Sequence, residues 1–230
     1  MNPKISIVMP VHDEEKILVD NLSRIIAHMA SLGESFEIVL VENGSKDKTL
    51  VLVTEYAEKD ARVKALSINQ KSLGDALRKG FQESRGEIMI WYPIDLAIDL
   101  SYIKESLEDI RDCDIVIGSK EHKDSKVERS SARKKYSMFY NSIVNLLFNL
   151  GLSDTQCVKT MRKEKILPIV VAAKSGGIVF EVELLYKAKK NKLKIKETPV
   201  IVKDFRPDSK IKYKDMGKAF TDLLVLRMRV

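Results

Sequence analysis

The chain has 230 residues, enough to bury a substantial core, and its 44% hydrophobic and 32% charged content is that of a folded globular protein rather than a disordered one. Forty Lys and Arg against 33 Asp and Glu give a net charge of +7, and the stretch from Lys187 to Lys218 holds 12 basic against 4 acidic residues, which suits anionic partners. Cys113 and Cys157 form no disulfide framework or zinc-site spacing, and no apolar run approaches the roughly 20 residues that span a bilayer, so an integral membrane protein is not expected.

In chain order, Ile5–Pro10, Phe36–Val41, Val63–Ile68, Ile88–Tyr92 and Ile115–Ile117 read as strands, each near-continuously apolar as buried parallel strands are. Amphipathic stretches at Glu14–Met29, Asp47–Glu58, Gly74–Ser84 and Leu100–Ile110 alternate with them. This is the pattern of βαβ units and a parallel sheet covered on both faces. Further helices are expected over Ala132–Leu150, Glu164–Ala173 and Val179–Lys190, then a strand over Lys194–Val202 and a closing helix from about Asp215 to Val230. No repeat or flexible linker interrupts the chain, so one α/β domain is the economical reading.

Ligands of open α/β sheets sit beyond the carboxyl ends of the strands. After the first strand comes Pro10-Val11-His12-Asp13-Glu14-Glu15, with no glycine-rich turn to bring backbone amides to a pyrophosphate. Its acids suit a base or a ribose and would repel a phosphate; N-capping by Asp13 is the competing reading. After the second strand, Glu42-Asn43-Gly44-Ser45-Lys46-Asp47 reads as a turn followed by a cap.

These two loops resemble the opening of the family 2 glycosyltransferases of the GT-A fold: strand–Pro-x-x-Asn-Glu, then strand–Val-Asp-Asp-Gly-Ser-x-Asp-x-Thr. Lys71-Ser72-Leu73-Gly74-Asp75-Ala76, Gly86-Glu87 and Asp114-Ile115-Val116-Ile117-Gly118-Ser119-Lys120 continue the resemblance in order. So do Asp154-Thr155-Gln156-Cys157, Glu197-Thr198-Pro199-Val200 and Arg206-Pro207-Asp208-Ser209-Lys210. Within the family the chain is most similar to the polyprenyl-phosphate sugar transferases of the dolichol-phosphate mannose synthase type.

The resemblance implies a mostly parallel sheet binding a GDP- or UDP-linked sugar, with inversion at the anomeric carbon. Pro10, His12, Glu14, Glu42, Asn43, Lys71 and Gly74 would meet the nucleotide, and Arg206, Ser209 and Lys210 would close over its diphosphate. The expected division is a nucleotide-binding half over 1–119, an acceptor half over 120–212 and an amphipathic helix over 213–230.

The family's metal motif, Asp-x-Asp often followed by Gln two residues later, reads Pro93-Ile94-Asp95-Leu96-Ala97 here. The family assigns the direct metal contact to the last Asp of the motif, so the resemblance keeps Asp95 for catalysis and for Mg²⁺ or Mn²⁺, although a hard cation wants several oxygen ligands and one carboxylate remains of three expected groups. Three readings follow: a weakly held metal, a diphosphate neutralised by side chains such as Lys71, Arg206 and Lys210, or a protein that binds a nucleotide sugar without turnover.

For the acceptor, Lys120 ends a strand, and Arg133 and Ser137 share one helix face at i, i+4. This set resembles the acceptor-phosphate site of the polyprenyl-phosphate branch, with a solvated basic helix face as the alternative. Asp154 reads as a base for a hydroxyl acceptor, as a partner for a cation, or as a helix cap. Apolar residues on the helices Tyr136–Leu150 and Lys218–Val230 read as core or as a border for lipid at an anionic membrane surface. The opening Met-Asn-Pro-Lys has no signal-peptide pattern, so a cytoplasmic location, or one peripheral to the cytoplasmic membrane face, is expected. Without interleaved aromatics in the basic segment, no nucleic-acid partner is expected.

Overall fold

Chain order and burial build the sheet. The computed structural model describes residues 2–203 and 213–230. Strands β1 (Ile5–Val11), β2 (Phe36–Asn43), β3 (Val63–Ile68), β4 (Ile88–Trp91), β5 (Ile115–Ser119), β7 (Lys159–Arg162) and β8 (Ile195–Pro199) form one sheet in the order β3-β2-β1-β4-β7-β5-β8. All run parallel except β7, which is antiparallel to both β4 and β5. Because β7 is reversed, its beginning, not its end, lies level with the carboxyl ends of its neighbours. The residues leading into β7 therefore reach the edge where ligands bind.

The sequence reading anticipates the five apolar strands to within two residues at each end but places none over Lys159–Arg162. That run, Lys-Thr-Met-Arg, is four residues long and polar at all but Met161, so it lacks the apolar signal of its neighbours. The expected strand Lys194–Val202 divides at Val200 into β8 and β9 (Ile201–Val202). β9 pairs with β6 (Lys126–Val127), a second strand too short to announce itself in sequence.

Helices α1 (Leu18–Ser31), α2 (Thr49–Lys59) and α4 (Ser101–Asp109) cover one face of the sheet. α3 (Leu73–Glu83), α5 (Ser131–Phe148), α6 (Lys163–Ala172), α7 (Val179–Lys190) and α8 (Tyr213–Arg229) cover the other. α1 begins four residues later than its amphipathic pattern suggests, because Asp13 takes a left-handed backbone (φ +54°) and the chain turns before the helix can start.

Two glycines of the resemblance serve packing. A Cβ on Gly86 would lie 2.7 Å from the Ile5 carbonyl carbon and the Ser6 nitrogen, and one on Gly118 2.6 Å from Val158. Gly74, expected at the nucleotide, is another: a Cβ there would meet Phe180 at 2.5 Å and the Gly177 carbonyl oxygen at 2.7 Å, so its small size lets α3 pack on α7.

Among the apolar residues of α5 and α8, Val144, Phe148, Leu223 and Leu226 are core. Met138, Phe139, Leu146, Phe220, Leu224, Val225 and Met228 are exposed. Among the described residues, no helix is long and apolar enough to cross a membrane.

The loop between α6 and α7 is held by Glu183, which accepts hydrogen bonds from the backbone N–H of Lys174 and of Ser175 and pairs with Lys187 at 2.8 Å. Burial opposes the charge, but these donors hold the carboxyl down at about 2, against an ordinary 4.5. A depressed carboxyl stabilises the fold fully above its unfolded pKa and loses that contribution as pH falls. Glu183→Gln should therefore cost about 2–3 kcal/mol near neutral pH. The gap to the parent should close between about pH 4.5 and pH 2, as read by urea unfolding across that range.

Candidate active site at the strand ends

Two groups of side chains stand at the carboxyl edge of the sheet. The first lies beyond β1, β2 and β3. The β1 and β2 loops are locked by reciprocal bonds: Asp13 N–H donates to Ser45 Oγ at 3.1 Å, and Lys46 N–H donates to Asp13 Oδ1 at 2.7 Å. Glu14 N–H donates to Thr49 Oγ1 at 2.8 Å, and Glu15 N–H to Asp47 Oδ2 at 3.1 Å. His12 Nδ1 donates to the Asn43 carbonyl at 2.8 Å. Pro10, His12 and Glu14 are thus held at the end of β1, half-buried, and Lys71 is exposed at the rim.

Glu42 and Asn43 are buried, and their side chains hold these loops together. Glu42 accepts from Ser45 N–H through one oxygen and from Ser67 Oγ at 2.7 Å through the other. Asn43 Oδ1 accepts from Ser72 N–H at 2.6 Å, which fixes the start of α3 beside the β2 loop. Both side chains therefore brace the strand-end loops.

The second group surrounds a cavity of about 240 Å³ beyond β4 and β5, lined by Asp95, Lys120, Arg129, Arg133 and Lys203 among others. It adjoins a further cavity of about 340 Å³ that shares Trp91, Lys120 and Arg129 and reaches Ser137. The structure therefore brings Asp95, Lys120 and Arg133 together, with Ser137 next door. Arg206, Ser209 and Lys210 lie outside the described residues.

Lys120 is nearly buried, and its ammonium pairs with Asp154 Oδ2 at 2.7 Å. Burial penalises the lysine's charge, yet the adjacent carboxylate more than offsets this, so Lys120 stays above its ordinary pKa and Asp154 below its own. Asp154 also accepts from Lys120 N–H and, at 3.0 Å, from Gln156 N–H. Asp154 is thus the ion-pair partner of a cation, and its bond from Gln156 N–H caps the turn that follows it. Glu197 explains how Asp154 is aimed: its carboxylate accepts from Ser153 N–H, Ser153 Oγ and Asp154 N–H at 2.6–3.2 Å. Thr155 is tied to Asn141 of α5 at 2.9 Å, so the helix bearing Arg133 and Ser137 is fixed to the same turn. Cys157 is buried, and burial raises its thiol pKa, as fits a packing role.

Sequence reasoning assigned nothing to Arg129, Lys203 or the buried pair Lys159–Glu181. Arg129 donates to Ser137 Oγ at 3.4 Å through one terminal nitrogen, while the other, Nη1, is buried with no hydrogen-bond partner among the described residues. Lys159 contacts Glu181 and lies 4.9 Å from the Trp91 ring centroid. Burial raises the Glu181 carboxyl despite the lysine beside it. The signal available for Arg129 was its position two residues after β6, and that strand is too short to read from sequence.

Asp95 Oδ1 accepts from Ala97 N–H at 3.1 Å. Pro93 and Ala97, which flank it in the cavity lining, offer no side-chain oxygen. Among the described residues there is no group of three or more His, Cys, Asp or Glu side chains able to hold a metal ion. Among the described residues, one carboxylate beside four cationic side chains is a poor donor set for Mg²⁺ or Mn²⁺, so the residues described do not fit the expected ion.

Asp154→Asn should leave Lys120 buried without its counter-charge and cost about 3 kcal/mol. Adding Lys120→Met should restore part of that stability in chemical denaturation, because the stranded charge goes too. Equal losses in the single and double variants would show that the pair is not coupled.

Residues 6–168 match the model of the Glycosyl transferase family 2. The chain is 30% identical over 233 residues to a dolichyl-phosphate beta-glucosyltransferase of Trichomonas vaginalis, covering 94% of this chain and 68% of that protein. It is 26% identical over 216 residues to the glycosyltransferase AglD of Haloferax volcanii, covering 90% of this chain and 34% of that one. The chain thus spans between a third and about two thirds of these relatives. In fold it resembles the glucosyl-3-phosphoglycerate synthase of Mycobacterium tuberculosis solved with uridine diphosphate. The TM-score is 0.66 at 14% identity, over 98% of this chain and 80% of that one. With this sheet order, these strand-end loops and a family match over most of its length, the chain belongs to family 2 of the glycosyltransferases.

Proposed function

We propose that this protein is an inverting glycosyltransferase that moves a hexose from a nucleoside-diphosphate sugar, linked through UDP or GDP, to a polyprenyl phosphate of the dolichyl type. The observation that carries the reading is the cavity at the ends of β4 and β5, where Lys120, Arg129 and Arg133 surround Asp95 beside loops suited to a nucleoside. The relatives' names supply the acceptor class.

In this reading, Pro10, His12, Glu14 and Lys71 border the nucleoside, and Glu42 and Asn43 fix the loops that carry them. Residues 1–119 form the nucleotide half, and 120–212 the acceptor half of one domain. Lys120, Arg133 and Ser137 hold the acceptor phosphate. That group is already mostly dianionic at neutral pH, with a second pKa of roughly 6, so no general base is needed. One of its oxygens attacks the anomeric carbon from the face opposite the leaving group. The new C–O bond forms as the bond to the donor's diphosphate breaks, and the electron pair leaves with the nucleoside diphosphate. The protein's tasks are to align the two anions and offset their repulsion. Asp154 acts by orienting Lys120, and Asp95 by orienting the cations or the sugar in the cavity. The exposed apolar residues of α5 and α8, near the basic C-terminal third, form the surface that approaches an anionic membrane.

Labelled glucose or mannose should pass from UDP- or GDP-sugar to dolichyl phosphate. Arg133→Ala should raise the acceptor KM by about tenfold with a smaller change in donor KM, in line with a lost charge-assisted contact. Asp95→Asn should lower kcat by about tenfold or more. Transfer to water alone, with no lipid-linked product from any donor, would count against the acceptor, and undiminished turnover in Asp95→Asn would remove that residue from the mechanism.

A further inference from the structure

The misfit between Asp95 and a divalent ion has a counterpart in how the cavity is built. β9 is clamped between two neighbours. On one side Ile98 bridges Val202, Asp99 N–H donates to the Ile201 carbonyl at 2.9 Å, and Lys203 N–H donates to the Ala97 carbonyl at 3.0 Å. On the other, β6 pairs with β9, and Glu128 N–H donates to the Val202 carbonyl at 3.0 Å. Two short strands and the loop after β4 thus share one set of backbone bonds. Its outgoing ends deliver Arg129 and Lys203 to the cavity that Asp95 lines.

The charges at this spot are unequal. Among the described residues that line it, Arg129, Lys203, Lys120 and Arg133 share the cavity with one carboxylate, Asp95. Lys120 is balanced by Asp154 behind it, and Lys203 lies in the field of Asp99 at the start of α4. Arg129 has no carboxylate partner among the described residues, and its Nη1 is a buried donor without an acceptor. An unpaired buried guanidinium nitrogen is costly unless an anion arrives to meet it. Guanidinium is also the side chain whose geometry suits a phosphoryl group.

We propose that Arg129 and Lys203 form a protein-built cation site for the donor's diphosphate, at the place where the Asp-x-Asp pattern would seat a divalent ion, and that donor binding is therefore independent of metal. The inference rests on the nucleotide-sugar reading above and adds the residues that replace the ion. When the bond to the sugar breaks, negative charge grows on the leaving β-phosphate oxygen, and fixed cations at that point stabilise it without an ion having to be recruited.

The test is calorimetric titration of the full chain with UDP, GDP, UMP and GMP, in EDTA and in Mn²⁺. The nucleoside diphosphate that binds should do so with Kd values in the two conditions within about threefold. In EDTA, Arg129→Met and Lys203→Met should each weaken it by about tenfold, the scale of one charged hydrogen bond. The corresponding monophosphate should be affected less, and Arg129→Lys should retain part of the affinity. Lys203 is exposed, so its variant reports on the site even if Arg129→Met does not fold. Binding that appears only with Mn²⁺ and is lost in Asp95→Asn would overturn the inference and leave the donor assignment standing, as would variants that bind like the parent in EDTA. If neither diphosphate binds with or without Mn²⁺, the donor assignment fails and takes this inference with it.

Discussion

A lysine buried at the end of β5 must have a carboxylate beside it, and meeting that requirement organises this end of the sheet. Asp154 satisfies Lys120. Glu197 of β8 fixes the turn that carries Asp154, and Asn141 of α5 fixes Thr155 next to it. One ion pair therefore joins β5, β8, α5 and the segment entering β7. A buried pair of this kind adds little stability of its own, because desolvation cancels much of the attraction. Its value is geometric: it keeps a cation at the strand ends in one orientation and still charged.

The antiparallel course of β7 makes this possible. A parallel strand between β4 and β5 would send its incoming residues to the far edge of the sheet. Reversal brings 153–158 to the ligand edge, where they meet Lys120 and Trp91. The strand-end edge that results has two characters. At β1 and β2 the loops are acidic and held by their own hydrogen bonds, which suits a nucleoside. At β4, β5 and β9 the side chains are cationic, which suits phosphoryl groups.

Much of this was legible in sequence. The apolar runs of β1 to β5 marked a parallel sheet, and the residues after each run marked the site edge. The glycine at 118 and the Glu197 segment were recognisable as motif elements, but their work is structural: close packing in one case and aiming Asp154 in the other. Glu42 and Asn43 stood out for the same reason and turn out to brace loops. What stayed hidden depends on pairing between distant short segments. β6 and β9 are two residues each, too few for any periodicity, and they acquire meaning only when laid beside the loop after β4. Arg129 and Lys203 follow those strands, so their convergence on Asp95 was hidden with them. Lys159 and Glu181 form a pair across 22 residues, a separation that no local pattern records.

The central claim is that phosphoryl groups are received by protein cations at the ends of β4, β5 and β9. The most direct measurement is a crystal structure with UDP or GDP bound in the presence of EDTA. The account predicts the β-phosphate in the cavity beside Asp95, with its oxygens within about 3.2 Å of Arg129 or Lys203 nitrogens. A diphosphate seated elsewhere, with Arg129 and Lys203 turned away from it, would contradict the account.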